Sequence, residues 1–336
     1  MTVDAGIVVG LNAVIVALEG DRPRVLTVSV PEGTPLEGGT AALERADGPG
    51  SVALPTGPLD PAGDRTLELA LRRWVKAWSG LELGYVEQLY TFGDRYRDPA
   101  EREGGPRVIS AAYVALTHQV DPVGLSVTRW RSIYPLLPWE DRRVVLPTLI
   151  EEGIERALAQ WIDGGGVERD LRRERASLAF GLGTFPWDGE RVLERYEILY
   201  ETGLVSESAR EGGNVEESKT SVDIGSPGLG LEMAFDHRRI LATALGRIRA
   251  KIRYRPVIFE LMPKTFTLLQ LQRAVEALAG VRLHKQNFRR LVDKGGLVEG
   301  TGRTDQKTGG RPAELFRFRR EVLLERPAPG VGLPGH

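Results

Sequence analysis

Residues 263–300 read "PKTFTLLQLQRAVEALAGVRLHKQNFRRLVDKGGLVEG", and this stretch decides what the C-terminal third of the chain is. Thr267 stands three residues before Gln270 at the head of an apolar run, the spacing of a helix capping box. Gly280 ends that helix and a short turn follows. In the next helix Phe288, Leu291 and Val292 fall on one side, while His284, Lys285, Gln286, Asn287, Arg289 and Arg290 fill most of the remaining positions. A helix joined by a tight turn to a shorter basic helix is a helix-turn-helix, whose second member enters the major groove of DNA.

Downstream, "LVEG", the basic Gly-rich tip "TGRTDQKTGGRP" and "ELFRFRR" make a two-stranded wing, so the module is an α+β winged helix-turn-helix. Arg and Lys suit guanine edges or phosphates, and Asn and Gln suit adenine. Arg303, Lys307 and Arg311 on the wing are placed for phosphate contacts that set register, and Lys264 and Thr267 at the head of the first helix complete the DNA-facing set. The charge agrees. Residues 251–320 carry a net +10 and residues 1–250 a net −10, inside a chain whose total is −1. A basic module on an otherwise acidic chain invites a polyanionic partner.

Upstream, "IVVGLNAVIVAL" (7–18) and "RVLTVSV" (24–30) read as two strands around a turn, and "YVEQLYTFG" (85–93) and "RVISAAYVALTH" (107–118) as two more. Between them lies one amphipathic helix, capped by Thr66, striped by Leu67, Ala70, Leu71, Trp74, Val75 and Trp78, and closed by Gly80. Strands around a long helix give an α/β or α+β domain over 1–138. Residues 139–234 are mostly helical, with helices at 146–162 and 190–201 and a polar Gly/Ser-rich loop at 206–228 that reads as mobile. A linker helix from Asp236, striped by Ile240, Leu241, Ala244, Leu245, Ile248 and Ile252, opens the last domain (235–325), and 326–336 reads as a disordered tail.

The absence of cysteine excludes disulfides and thiolate metal sites. No apolar run approaches the ~18–20 residues of a membrane span, and the N-terminus has no basic leader, so a cytoplasmic protein is expected.

"LPTGPLDPAGDRTLELALRRWVKAWSGL" resembles a Nudix box, the loop-helix segment that holds magnesium in Nudix hydrolases. With the closing Gly on Gly80, the family's Arg falls on Arg73, but its helical glutamates fall on Trp74, Ala77 and Trp78, and its upstream glutamate on Arg65. Magnesium is a hard cation held by oxygen ligands, which indole and methyl groups do not supply. "QLYTFGDRYRDP" (88–99) resembles the strands after the box in Nudix-related transcriptional regulators of the NrtR type, and the same family's winged helix is matched by Phe266-Thr267-Leu268, Asn287-Phe288-Arg289-Arg290 and Gly310-Arg311-Pro312. Residues 235–256 resemble the helix linking its two domains. The resemblance omits 139–234, an insertion that shorter members lack, and so points to the longer NadQ-like branch, regulators of NAD biosynthesis genes.

The resemblance implies a Nudix-like sandwich with a helical insertion, no catalysis, no metal site and no required cofactor. It further implies a homodimeric repressor of operator DNA with no membrane partner. Its effector is an adenine nucleotide-type metabolite such as ADP-ribose, NAD or ATP, bound by Arg73, Gln88, Phe92, Asp94 and Arg97. The competing expectation is a Nudix pyrophosphohydrolase of ADP-ribose-like or NAD-like substrates with relocated ligands and an accessory nucleic-acid-binding module.

Overall fold

The computed structural model describes residues 6–30, 51–118, 128–145, 148–210, 229–306, 312–325, 327 and 329–332. A seven-stranded mixed sheet forms the front of the molecule, in the order β3-β2-β1-β6-β5, with β4 also pairing β1 and β7 pairing β2. Strand β1 (Ile7–Glu19) runs parallel to β6 (Arg107–Leu116), in register from Ile7↔Arg107 to Val16↔Leu116. It turns at Glu19–Arg22 into antiparallel β2 (Arg22–Val30). The short strands β3 (Ser51–Ala53) and β4 (Thr56–Pro58) lead to the helix, while β5 (Val86–Phe92) and β7 (Thr128–Ser132) lie at the sheet's borders. The centre of β1 is buried on both faces, which is why it reads as a near-continuous apolar run, broken by Asn12, rather than an alternation.

One face is covered by α1 (Leu67–Ser79), with the expected caps: Thr66 accepts from the Leu69 N–H, and Gly80 closes in the left-handed conformation. Its Ala70, Leu71, Trp74 and Val75 pack on Leu11, Ala13, Ile15, Leu26 and Tyr113. The other face is covered by α6 (His237–Tyr254), whose Ile240, Leu241, Ala244, Leu245, Ile248 and Ile252 join a core that also holds Val14, Val16, Val114 and Leu116. Two helices on two faces make the sandwich.

Between them the chain forms α2 (Thr148–Asp163), α3 (Arg169–Phe180), α4 (Val192–Glu201) and α5 (Ser206–Arg210). Helix α3 has no counterpart in the sequence pattern because its buried side is made of Ala176 and Ala179, which leave almost no apolar stripe among its arginines. Helix α5 corrects the expectation that 206–228 is a mobile loop from its first residue. Glu207 there is buried and paired with Arg238, a long-range contact that local composition does not register. Residues 211–228 lie outside the described residues. The expected disordered tail needs a second correction: Val331 is buried and its N–H donates to the Ile252 carbonyl, so 329–332 pack beside the end of α6.

Helices α7 (Leu268–Ala279) and α8 (Lys285–Gly295), with the hairpin β8 (Val298–Asp305) and β9 (Ala313–Phe318), make the winged helix. Strand β9 is tied back to the head of α7 by a bridge between Phe266 and Phe316. A terminal turn of helix, α9 (Val322–Glu325), follows. Phe288 and Val292 bury one side of α8, in the same continuous core as α4, α6 and α7.

Candidate functional site: an exposed basic helix and a buried polar seam

His284, Lys285, Gln286, Asn287, Arg289 and Arg290 are all exposed on α8 or at its head, and Lys264 before α7 and Arg303 on β8 are exposed too. Among the described residues Lys264, Lys285, Arg289 and Arg290 make no ion pair, whereas most arginines elsewhere do. Desolvating a cation is costly, and a row of cations left without internal anions is suited to an external one. Thr267 belongs elsewhere. It is buried, its hydroxyl accepts from the Gln270 N–H at 3.2 Å, and Gln270 Oε1 accepts from the Thr267 N–H at 2.7 Å. The expected DNA contact is a capping box that shapes the head of α7 instead. Lys307 and Arg311 lie outside the described residues.

The five residues expected around an effector do not converge. Arg73 is exposed on α1 and grips Asp64 with two hydrogen bonds of 2.9 and 2.8 Å. Gln88 accepts from the Tyr113 hydroxyl at 3.2 Å on that same face of the sheet. Phe92 packs against the core on the α6 side, and Asp94 is exposed, 3.9 Å from Arg239. Arg97 is buried, and its guanidinium clasps Asp236 at 2.9 and 2.6 Å and donates to Ser110 Oγ at 2.6 Å. Such a residue ties the sheet to the first turn of α6 and leaves no donor facing a solvent cleft.

Helix α1, the segment that resembles a Nudix box, shows what occupies the expected carboxylate positions. Trp74 lies in the core against Gly57, where an added Cβ would come within 2.4 Å of the indole, so the ring fills the space a side chain at 57 would need. Ala77 is exposed. Nearby acids are engaged: Asp64 by Arg73, Glu68 by Arg72 at 2.9 Å, and Glu82 by Lys76 at 2.8 Å. Among the described residues, no group of three His, Asp or Glu side chains is placed to hold a metal ion.

Behind the sheet runs a polar seam that sequence reasoning missed. His237 is fully buried and stays neutral, since burial lowers its pKa to about 3. The Leu54 N–H donates to its Nδ1 at 2.9 Å, so Nε2 carries the proton. The Asn12 side-chain amide lies 3.0 Å from Nε2 and 2.9 Å from Thr56 Oγ1, so the imidazole is held from both sides of the ring. Asp236 beside it is pushed up by burial, but Arg97 outweighs this and holds it below the ordinary carboxylate range. Further along α6, Arg247 and Lys251 pair with Glu87 of β5, each at 3.0 Å. Asn12 carried a legible signal, a lone polar side chain inside an otherwise apolar strand.

Tyr96 and Phe235 are the non-glycine residues with positive φ among the described residues, at 64° and 55°. Each immediately precedes one half of the Arg97–Asp236 pair. Strain of this kind persists where surrounding contacts over-determine the backbone, and here it brackets the junction of sheet and linker helix.

With this geometry in place, residues 258–318 match the family model described as the NrtR DNA-binding winged helix domain. A curated protein of Acinetobacter baylyi, the ADPR responsive transcriptional repressor NtrR, is 44% identical over 92 residues, which is 27% of this chain and 36% of that protein. The chain thus matches about a third of that relative's length. Among solved structures, Shewanella oneidensis NrtR complexed with a 27mer DNA superposes with a TM-score of 0.54 at 19% identity, covering 94% of each chain. NrtR of the same organism without DNA gives 0.52 at 18%, covering 94% of this chain and 95% of that one. The overall fold, a Nudix-type α/β domain carrying a winged helix, is therefore shared.

Proposed function

We propose that this chain, a Nudix-like domain joined to an NrtR-type winged helix, is a transcriptional repressor that binds operator DNA and answers to an adenine-nucleotide metabolite. The observation that carries this reading is α8, which presents Lys285, Asn287, Arg289 and Arg290 to solvent without partners among the described residues, inside the segment that matches the NrtR winged helix. ADP-ribose is placed ahead of NAD and ATP because the Acinetobacter relative is described as ADPR responsive. The regulated genes are those of NAD synthesis, and the protein works as a cytoplasmic homodimer whose two recognition helices meet half-sites about one helical turn (~34 Å) apart.

The Nudix-like domain senses rather than hydrolyses. Trp74 and Ala77 offer no oxygen ligand where the Nudix helix supplies carboxylates, so the magnesium of that chemistry does not fit this helix. The test is a gel-shift titration on DNA selected in vitro by the chain itself, with ADP-ribose, NAD and ATP added in turn. ADP-ribose is expected to change the affinity; no change with any of the three rejects the sensor. In parallel, turnover of ADP-ribose with magnesium at ordinary enzymatic rates would restore the hydrolase reading.

A further inference from the structure

Glu140 is the point at which four parts of the molecule meet. It follows the sheet, it is fully buried, and two arginines grip it. Arg195 of α4 donates to its carboxylate at 2.6 and 2.9 Å, and Arg249 of α6 donates to the same group and, at 3.0 Å, to its backbone carbonyl. Burial pushes Glu140 up, and the two guanidiniums overcome it, so it stays ionised.

Further donors of both arginines are spent on backbone. Arg195 donates to the Ala179 and Asp188 carbonyls at 2.7 and 2.9 Å and lies over the Trp187 ring, 3.8 Å from its centre. A buried ion cluster in which every guanidinium nitrogen is hydrogen-bonded has one low-energy arrangement and resists rearrangement.

That cluster ends on the winged helix. The last carbonyls of a helix lack intrahelical donors and need outside partners. At the C-terminus of α7 they find them in the front of the molecule: Ala277 accepts from the Tyr134 hydroxyl at 2.5 Å, Leu278 from Arg249 Nε at 2.9 Å, and Gly280 from the Arg142 N–H at 2.7 Å. Gly280 has φ 71°, and an added Cβ would sit 2.3 Å from the Glu140 carbonyl, so the approach admits only glycine. The turn after Gly280 leads directly into α8 at Lys285.

We propose that Glu140, Arg195 and Arg249 are positioning residues for DNA binding, with the helical segment 148–210 as an outside brace that locks the end of α7 and so sets the angle at which α8 meets the duplex. This rests on the DNA-binding reading above. It gives the helices of 148–210 a task, since Arg195 is their contribution to the lock.

The chain has no cysteine, so paired spin labels can be placed at will, for example through Glu174→Cys on α3 and Asp293→Cys on α8, both exposed. The doubly labelled full-length chain is expected to show one narrow inter-label distance. Adding Arg195→Met should broaden it and lower affinity for the selected duplex at least tenfold, with helical circular dichroism retained. A distribution as narrow as the parent's, or a broadened one with unaltered affinity, overturns the proposal. If Arg195→Met does not fold, Tyr134→Phe, which removes one hydroxyl from the same seam, decides on the same two readouts. A parent chain that binds no duplex at low salt rejects the DNA-binding reading, and the positioning role with it, while the distance measurement still judges the brace.

Discussion

Arg97 and Asp236 illustrate how one buried contact can reassign a residue. Both side chains are about 1% exposed, so neither can be removed alone without stranding the other's charge. Breaking such a pair from one side costs on the order of 3–5 kcal/mol, and Arg97→Met is expected to lower unfolding free energy by that amount in urea titration. A residue that only touched effector from a cleft would leave it nearly unchanged. His237 makes a pH-dependent prediction. It is neutral in the fold, with a pKa of about 3 against 6.5 for the free side chain. The unfolded chain therefore takes up this proton first as pH falls. The contribution is complete above pH 6.5 and declines as pH drops from there toward 3, at about 1.4 kcal/mol per unit. Replacing His237 by Gln, whose oxygen can still accept from the Leu54 N–H, is expected to flatten stability between about pH 6.5 and about pH 4.5. An unchanged slope would place the titration elsewhere.

Among the elements, α1 and α8 have opposite relations to their surroundings. Helix α1 was legible to its caps, because Thr66, Gly80 and a three-to-four-residue apolar stripe are local signals. Its Trp74 fills the core against Gly57, so Trp74→Glu is expected to cost several kcal/mol, as burial of an unpaired carboxylate replaces a packed indole. It should leave magnesium-dependent turnover of ADP-ribose at background, since one carboxylate does not rebuild a ligand set; thermal melts and a phosphate-release assay check the two halves. Helix α8 is the reverse, an element whose outer side touches little of its own protein. Arg289→Ala and Lys285→Ala are expected to weaken binding to the selected duplex by about 1–3 kcal/mol if they read bases, with the melting temperature within a degree or two of the parent. Helix α3 was not legible, because small buried alanines leave no stripe to read.

At the scale of the molecule, DNA binding should weaken steeply with salt, because phosphate neutralisation releases counterions. Removing one phosphate-binding cation should reduce the slope of log affinity against log salt by about 0.9, so Arg303→Ala should lower affinity evenly across sequences and shallow the slope by about one such step. Among the described residues no helix is long and apolar enough to cross a membrane. Periodicity, caps and glycine stops, written in neighbouring residues, were enough to place the central strands, α1, the linker helix and the helix-turn-helix, and the basic side chains of α8 stood out for the same reason. The partners of Arg97, Glu140, Arg195, His237 and Glu207 were not recoverable this way. Each lies tens to more than two hundred positions from the residue it binds, and only the closing of the core decided which buried charges would face one another. Local pattern specifies elements because its interactions span a few residues; the seam joining sheet, helix α4 and winged helix depends on desolvated pairs whose energy exists only once the intervening chain has packed.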